Sequence, residues 1–269
     1  MGDFTFIEIG TFSIALIALI QPWVLYIWKK YFKPGRIEFY HTGNLEVGYS
    51  NLGSTVAVNG TLRAINSGFF IQEMEIQIRK LKDSSIHDFR WAVFRDTRVH
   101  LSSTSQGIVE LPYGFYLTTD SPHRVNIQFH DLKQQDEIRP TIAQLNKGWR
   151  EFLNEHYPFE ESAKDDDVSY NLKKHNIFRK FTGANYHLDA YAKFGREFYW
   201  EKGKYELSLV IKTSSPSKKF KKEWSFDLME EDESLLGLNS INIVDHASDQ
   251  TVNYWNFAYP KYVKDNSTG

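Results

Sequence analysis

Residues 10–28 read GTFSIALIALIQPWVLYIW, a run without a single charged side chain. Roughly 20 apolar residues in a helix span a hydrocarbon core of about 30 Å, so the run predicts a transmembrane helix. A secretory signal peptide needs a basic stretch before its apolar core and a small-residue cleavage site after it. Here the order is reversed: Asp3 and Glu8 precede the run, Lys29, Lys30, Lys33 and Arg36 follow it, and no A-x-A site appears.

The same charges predict an orientation. All the nearby Lys and Arg lie C-terminal to the run, which places residues 1–9 outside and everything after Lys29 in the cytoplasm. Trp23, Tyr26 and Trp28, with Tyr31 and Phe32, form the expected aromatic belt, and Lys29, Lys30, Lys33 and Arg36 the basic juxtamembrane linker of residues 29–36. Under this orientation the sequons at Asn59 and Asn266 are silent. Pro22 cannot donate to Ala18, which predicts a kink, and Gln21 belongs near the hydrated interface.

Beyond Pro34-Gly35 the period changes to two. Met74, Ile76 and Ile78 alternate with Glu73, Glu75, Gln77 and Arg79; Phe89, Trp91 and Val93 form another set, and Val125, Ile127 and Phe129 another. Such alternation marks strands with one buried and one wet face. The stretch Gly203 to Ile211 runs through Ser214-Ser-Pro-Ser217 and returns as Phe220, Lys222, Trp224, Phe226 and Leu228, which predicts a hairpin. Aromatic residues make up 16% of the chain, enough to fill a broad sheet-based core.

Seven or so strands at this spacing predict two packed antiparallel sheets. The G-x-Y-x-L-x-L pattern of Gly203 to Leu209 resembles the penultimate strand of immunoglobulin-like and fibronectin-type sandwiches. That resemblance implies a corner-tying role for Tyr205, and Phe115 to Phe129 has the matching form of a strand, a Ser-Pro turn and a second strand. The paired cysteines of antibody domains are missing, since the chain has none. The expected fold is therefore mainly β: a single transmembrane helix, then an immunoglobulin-like sandwich over residues 37–228.

Ile138, Ile142, Leu145, Trp149, Phe152 and Leu153 recur at helical spacing from Asp136, a candidate N-cap, to about His156. A helical insertion over about 133–200 follows from this, with residues 229–269 as a tail of turns and short strands packing back on the domain.

Catalytic signatures are missing. There is no phosphate-binding Gly-rich loop, no H-E-x-x-H, no G-x-S-x-G and no dinucleotide fingerprint. Without cysteines there is no thiolate chemistry or disulfide. His123 and His130 are seven residues apart and fall on opposite faces of one strand, which is wrong for a shared metal. The run Asp165 to Asp167 lacks the alternating form of a calcium loop and reads as a solvated acidic loop. No cofactor is implied. A net charge of −2 gives no field for duplex nucleic acid.

One segment mixes basic and aromatic residues: Lys173, Lys174, His175, Arg179 and Lys180 with Tyr170, Phe178 and Phe181. Such a mixture can cradle phosphate and stack a base, and an amphipathic helix gives the same string. Lys218, Lys219, Lys221 and Lys222 beside Phe220 read as a charged edge that discourages strand pairing.

The leading expectation is a membrane-anchored cytoplasmic binding or adaptor module with a protein partner. A second is a membrane-linked sensor or effector for a small anionic ligand such as a nucleotide, held by Lys173, Lys174, Arg179 and Lys180. Its architecture resembles bacterial antiviral proteins that join transmembrane helices to a β-domain sensor. A third is an enzyme whose site is not written in a short motif.

Overall fold

A computed structural model of the chain describes residues 6–32, 34–95, 109–158, 167–248 and 255–263. Helix α1 spans Phe6–Phe32 and runs through Pro22. Among the described residues, however, no helix is long and apolar enough to cross a membrane. The side chains described on α1 are those of residues 15–28, all exposed, and Gln21 and Pro22 interrupt them. The single-pass anchor is thereby overturned, and with it the outside placing of residues 1–9 and the cytoplasmic placing of the domain. Trp23, Tyr26 and Trp28 are simply exposed on α1, and Arg36 opens the first strand in an ion pair with Glu38 at 2.7 Å. Lys33 and the side chains of Lys29 and Lys30 lie outside the described residues, as do Asn266, Asp165, Asp166 and the side chain of Asp167.

Antiparallel strands form one continuous sheet. They are β1 (Arg36–His41), β2 (Glu46–Ser50), β3 (Gly53–Ile65), β4 (Phe69–Lys80), β5 (Ile86–Arg95), β6 (Val109–Glu110), β7 (Phe115–Leu117), β8 (His123–His130), β9 (Gly203–Ser215), β10 (Ser217–Leu228), β11 (Phe257–Ala258) and β12 (Tyr262–Val263). The order is β11-β2-β3-β8-β5-β4-β9-β10-β12, with β1 beside β3, β6 beside β5 and β7 beside β4. The sheet curls into a half-barrel around one core, consistent with the expected β-sandwich, and nothing in it identifies an immunoglobulin-like or fibronectin-type member. Curling is physically favoured because a twisted sheet with one apolar face buries that face best against itself.

The predicted hairpin is β9–β10, paired from Gly203–Leu228 to Ser214–Ser217. Its inner row of Tyr205, Leu207, Leu209 and Ile211 is buried, as are Met74, Ile76 and Ile78 of β4. The Tyr205 hydroxyl donates to the Glu201 carbonyl at 2.7 Å, tying the strand to the corner that precedes it. At the other end of the sheet β1 comes back alongside β10. Phe39 meets Trp224 at a ring separation of 5.6 Å, and the Lys218 ammonium reaches the Gly35 carbonyl at 3.3 Å. No ladder joins β1 to β10 among the described residues. Side chains close that seam.

Helices gather on the β2–β3 side. They are α2 (Leu132–His156), α3 (Asp167–Phe181), α4 (Asn185–Glu197), α5 (Glu230–Gly237) and α6 (Asn239–Ala247). The N-cap of α2 is Asp131, not Asp136: its carboxylate accepts from the Gln134 amide at 3.0 Å. The helix thus begins where β8 ends. Residues after Met229, expected as turns and short strands, form two helices, α5 and α6, as well as the short strands β11 and β12. Trp149 of α2 packs edge-on to Phe178 of α3, and the Tyr49 hydroxyl of β2 donates to the Phe194 carbonyl of α4 at 3.0 Å. The Trp200 indole donates to the Gly48 carbonyl at 3.1 Å. These bonds seat the helical layer on one end of the sheet and leave the outer face of β5, β4, β9 and β10 open.

Candidate ligand groove on the outer sheet face

Strand alternation sends Glu73, Glu75, Gln77 and Arg79 of β4 outward, and likewise Lys204, Glu206, Ser208, Val210 and Lys212 of β9. Register aligns them into rows across the sheet. The central row is Asp88, Gln77, Ser208 and Glu223; one neighbour is Arg90, Glu75, Val210 and Lys221, the other Ile86, Arg79, Glu206 and Ser225. Ser208 is the smallest side chain of the outward set on β9. A short residue between long ones leaves a depression in an otherwise even sheet face.

Two adjoining grooves result. One, of 380 Å³, runs toward Lys204, Trp224, Asp227 and Val263; the other, of 340 Å³, runs toward Glu75, Asp88, Arg90 and Lys219. Gln77, Ser208 and Lys221 line both. At the saddle between them, the Ser208 hydroxyl is buried and has no hydrogen-bond partner among the described residues, with the residue only 9% exposed. A buried polar atom left unpaired costs about 1–3 kcal/mol.

The walls are charged but balanced. Arg79, Arg90, Lys204, Lys219 and Lys221 face Glu75, Asp88, Glu206, Glu223 and Asp227. Many pair across strands: Arg90 with Glu75, and with Glu73 at 2.9 Å; Lys212 with Glu73 at 3.0 Å and Glu75 at 2.9 Å; Gln77 donating to Asp88 at 2.9 Å. The hydrogen bond from Lys212 is the main cause holding the Glu73 carboxyl below the usual range; Arg90 adds to it. Exposed pairs of this kind contribute little to stability, at most about 1 kcal/mol each. Their effect is to fix long side chains in a lattice of alternating sign.

A smaller notch adjoins the second groove through Arg90. On the side of β4 away from β9, β7 pairs with Phe69, Phe70 and Ile71, and β5 with Glu75 to Arg79. Residues 72–74 carry no strand there among the described residues. β5 turns away to β8 through a bulge between Trp91 and Val93. The resulting gap, of 240 Å³, is lined by Met74, Arg90, Trp91, Pro112, Tyr113 and Gly114, among others. The Trp91 indole N–H is buried with no acceptor among the described residues.

The basic residues singled out from the sequence lie elsewhere. Lys173, Lys174, Arg179 and Lys180 are on α3, and they line none of these grooves. At about 100° per residue, Lys173 and Lys180 share a side while Lys174 and Arg179 turn off it in opposite senses. Lys173 sits over the Tyr157 ring at 5.3 Å. The inner face of α3 is committed to packing: Ile177 and Phe181 are buried. His123 stacks on Phe115, and His130 is buried. Among the described residues no group of three or more His, Asp or Glu could hold a metal ion. Compared with protein-family models, characterised proteins and solved structures, the chain matches none.

Reasoning from the sequence recognised Glu73 to Arg79 as a wet strand face but did not reach Ser208, Lys221, Trp91 or Tyr113 as a set. The signal available was Ser208 itself, a small residue among long outward ones.

Proposed function

We propose that the protein is a non-catalytic binding module that docks a partner protein on the outer face of β5, β4, β9 and β10. The observation that carries this reading is the pair of adjoining grooves that share Gln77, Ser208 and Lys221. A fixed lattice of both charge signs supports it, because complementary charge patterns give orientation and specificity more than raw affinity. Charge balance also disfavours a polyanion, which would meet as many carboxylates as cations.

Photo-crosslinking tests the proposal. A benzophenone amino acid replacing Lys221 in the groove should give a discrete protein adduct in cells that make this chain. The same residue at Lys133, exposed on α2, should not. Equal adducts from both positions, or none from the groove, would refute the docking surface.

A further inference from the structure

The two grooves and the notch join end to end. Gln77, Ser208 and Lys221 link the first groove to the second, and Arg90 links the second to the notch. The track carries both charge signs along its middle and apolar groups at each end: Leu81, Trp224 and Val263 in the first groove, and Met74 and Pro112 with the aromatic Trp91 and Tyr113 in the notch. Phe94 braces both aromatic residues, meeting Trp91 at 4.7 Å and Tyr113 at 5.2 Å between ring centroids. The aromatic walls are therefore held in place before any guest arrives, which lowers the entropic cost of binding.

From this we infer that the track binds an extended peptide segment of a partner, anchored by a proline in the notch, with charged residues of both signs over the grooves. The inference rests on the docking surface proposed above and names its occupant. Three features select this chemistry. The track is linear and follows strands, as an extended chain does. The notch offers aromatic walls, Trp91 and Tyr113, on which a proline ring packs. A proline-containing segment is already extended before binding, so little order is lost on docking. A neutral glycan is disfavoured by the many fixed charges over the grooves, which a charged peptide complements and a sugar does not.

Indole NMR reads the notch directly. Uniform ¹⁵N labelling gives one indole resonance per tryptophan, seven in all, and Trp91→Phe removes the one to be followed. The probe is a synthetic library of nonapeptides with proline fixed at each position in turn and Glu or Lys at the flanks, against the same peptides with glycine for proline. The inference predicts that one proline register shifts the Trp91 indole resonance, and that its glycine counterpart binds at least tenfold more weakly. Tyr113→Ala should weaken that peptide by a similar factor with the fold intact, as judged by the remaining indole resonances. Peptides that bind in competition at Ser208 but leave the Trp91 resonance unmoved would overturn the anchor and leave the docking surface standing. Binding of neutral oligosaccharides in preference to every peptide would overturn the peptide assignment. Failure of the Lys221 crosslink would remove the docking surface itself.

Discussion

Asp131 joins sheet to helices, and its removal should be felt throughout the fold. The residue is 4% exposed at the junction of β8 and α2. Its carboxylate caps α2 through the Gln134 amide at 3.0 Å and accepts the Tyr199 hydroxyl at 2.9 Å, with the His87 ring 3.8 Å away and stacked on Tyr199. Gln134 in turn accepts from the Ser54 amide and donates to the Glu197 carbonyl, so the helix start is bonded to β3 and α4. In Asp131→Ala the lost cap costs about 1 kcal/mol. The buried Tyr199 hydroxyl, left unpaired, costs about 1–3 kcal/mol more. The sum, about 2–4 kcal/mol, should lower the urea midpoint by about 0.7–4 M for slopes of about 1–3 kcal/mol/M. Tyr199→Phe in the Ala background should then cost less than in the native chain, by about 1 kcal/mol or more of coupling.

The pH dependence has a definite sign. Burial would raise the Asp131 carboxyl, but His87, the Gln134 amide and Tyr199 outweigh it and hold the carboxyl below its ordinary value. A depressed carboxyl contributes stability that is full above its unfolded pKa of about 3.9 and is lost as pH falls through the folded value. The gap between native and Asp131→Ala midpoints should therefore be widest at neutral pH and close as pH drops below about 4. An Asp131→Ala unfolding free energy within about 0.5 kcal/mol of native at pH 7 would refute the reasoning, as would a gap that widens in acid.

Other perturbations have equally plain expectations. Tyr205→Phe removes the hydroxyl bonded to the Glu201 carbonyl and should cost about 1 kcal/mol in urea unfolding, with the hairpin retained by circular dichroism. Gly48→Ala would place a methyl 2.6 Å from the Thr55 hydroxyl and 2.8 Å from the Phe257 ring. Overpacking there should cost about 1–3 kcal/mol, which calorimetry would read as a melting temperature lower by several degrees. Burial raises the Asp245 carboxyl despite the nearby His187, so its ionised form is disfavoured in the fold. Asp245→Asn should accordingly stabilise the protein at pH 7 and leave it unchanged near pH 3, where both side chains are neutral.

What the sequence made legible was local. Alternation at Met74, Ile76 and Ile78 and the turn at Ser214–Ser217 marked strands that the sheet indeed contains, since period two and turn chemistry act between neighbours in the chain. Closure of the sheet onto itself was not legible, because β1 meets β10 only through tertiary contacts such as Phe39 with Trp224. Asp136 looked like the cap because the apolar period begins at Ile138. The true start, Asp131, is set by where β8 ends and by bonds to Tyr199, which lies 68 residues away. The uncharged run at residues 10–28 met the usual composition of a span, but among the described residues no helix is long and apolar enough to cross a membrane. The groove was the hardest to foresee. Its central row takes Gln77 and Asp88 from one hairpin and Ser208 and Glu223 from another far along the chain, and only register brings them together.

The account turns on whether the outer sheet face is covered by a partner where the protein works. Amine-reactive footprinting by mass spectrometry answers this without knowing the partner. Lys219 and Lys221 should be labelled less in native extracts of cells that make the chain than in the purified protein, while Lys133 and Lys147 on α2 react equally in both. Equal labelling of Lys219 and Lys221 in extract and in isolation would contradict the docking surface.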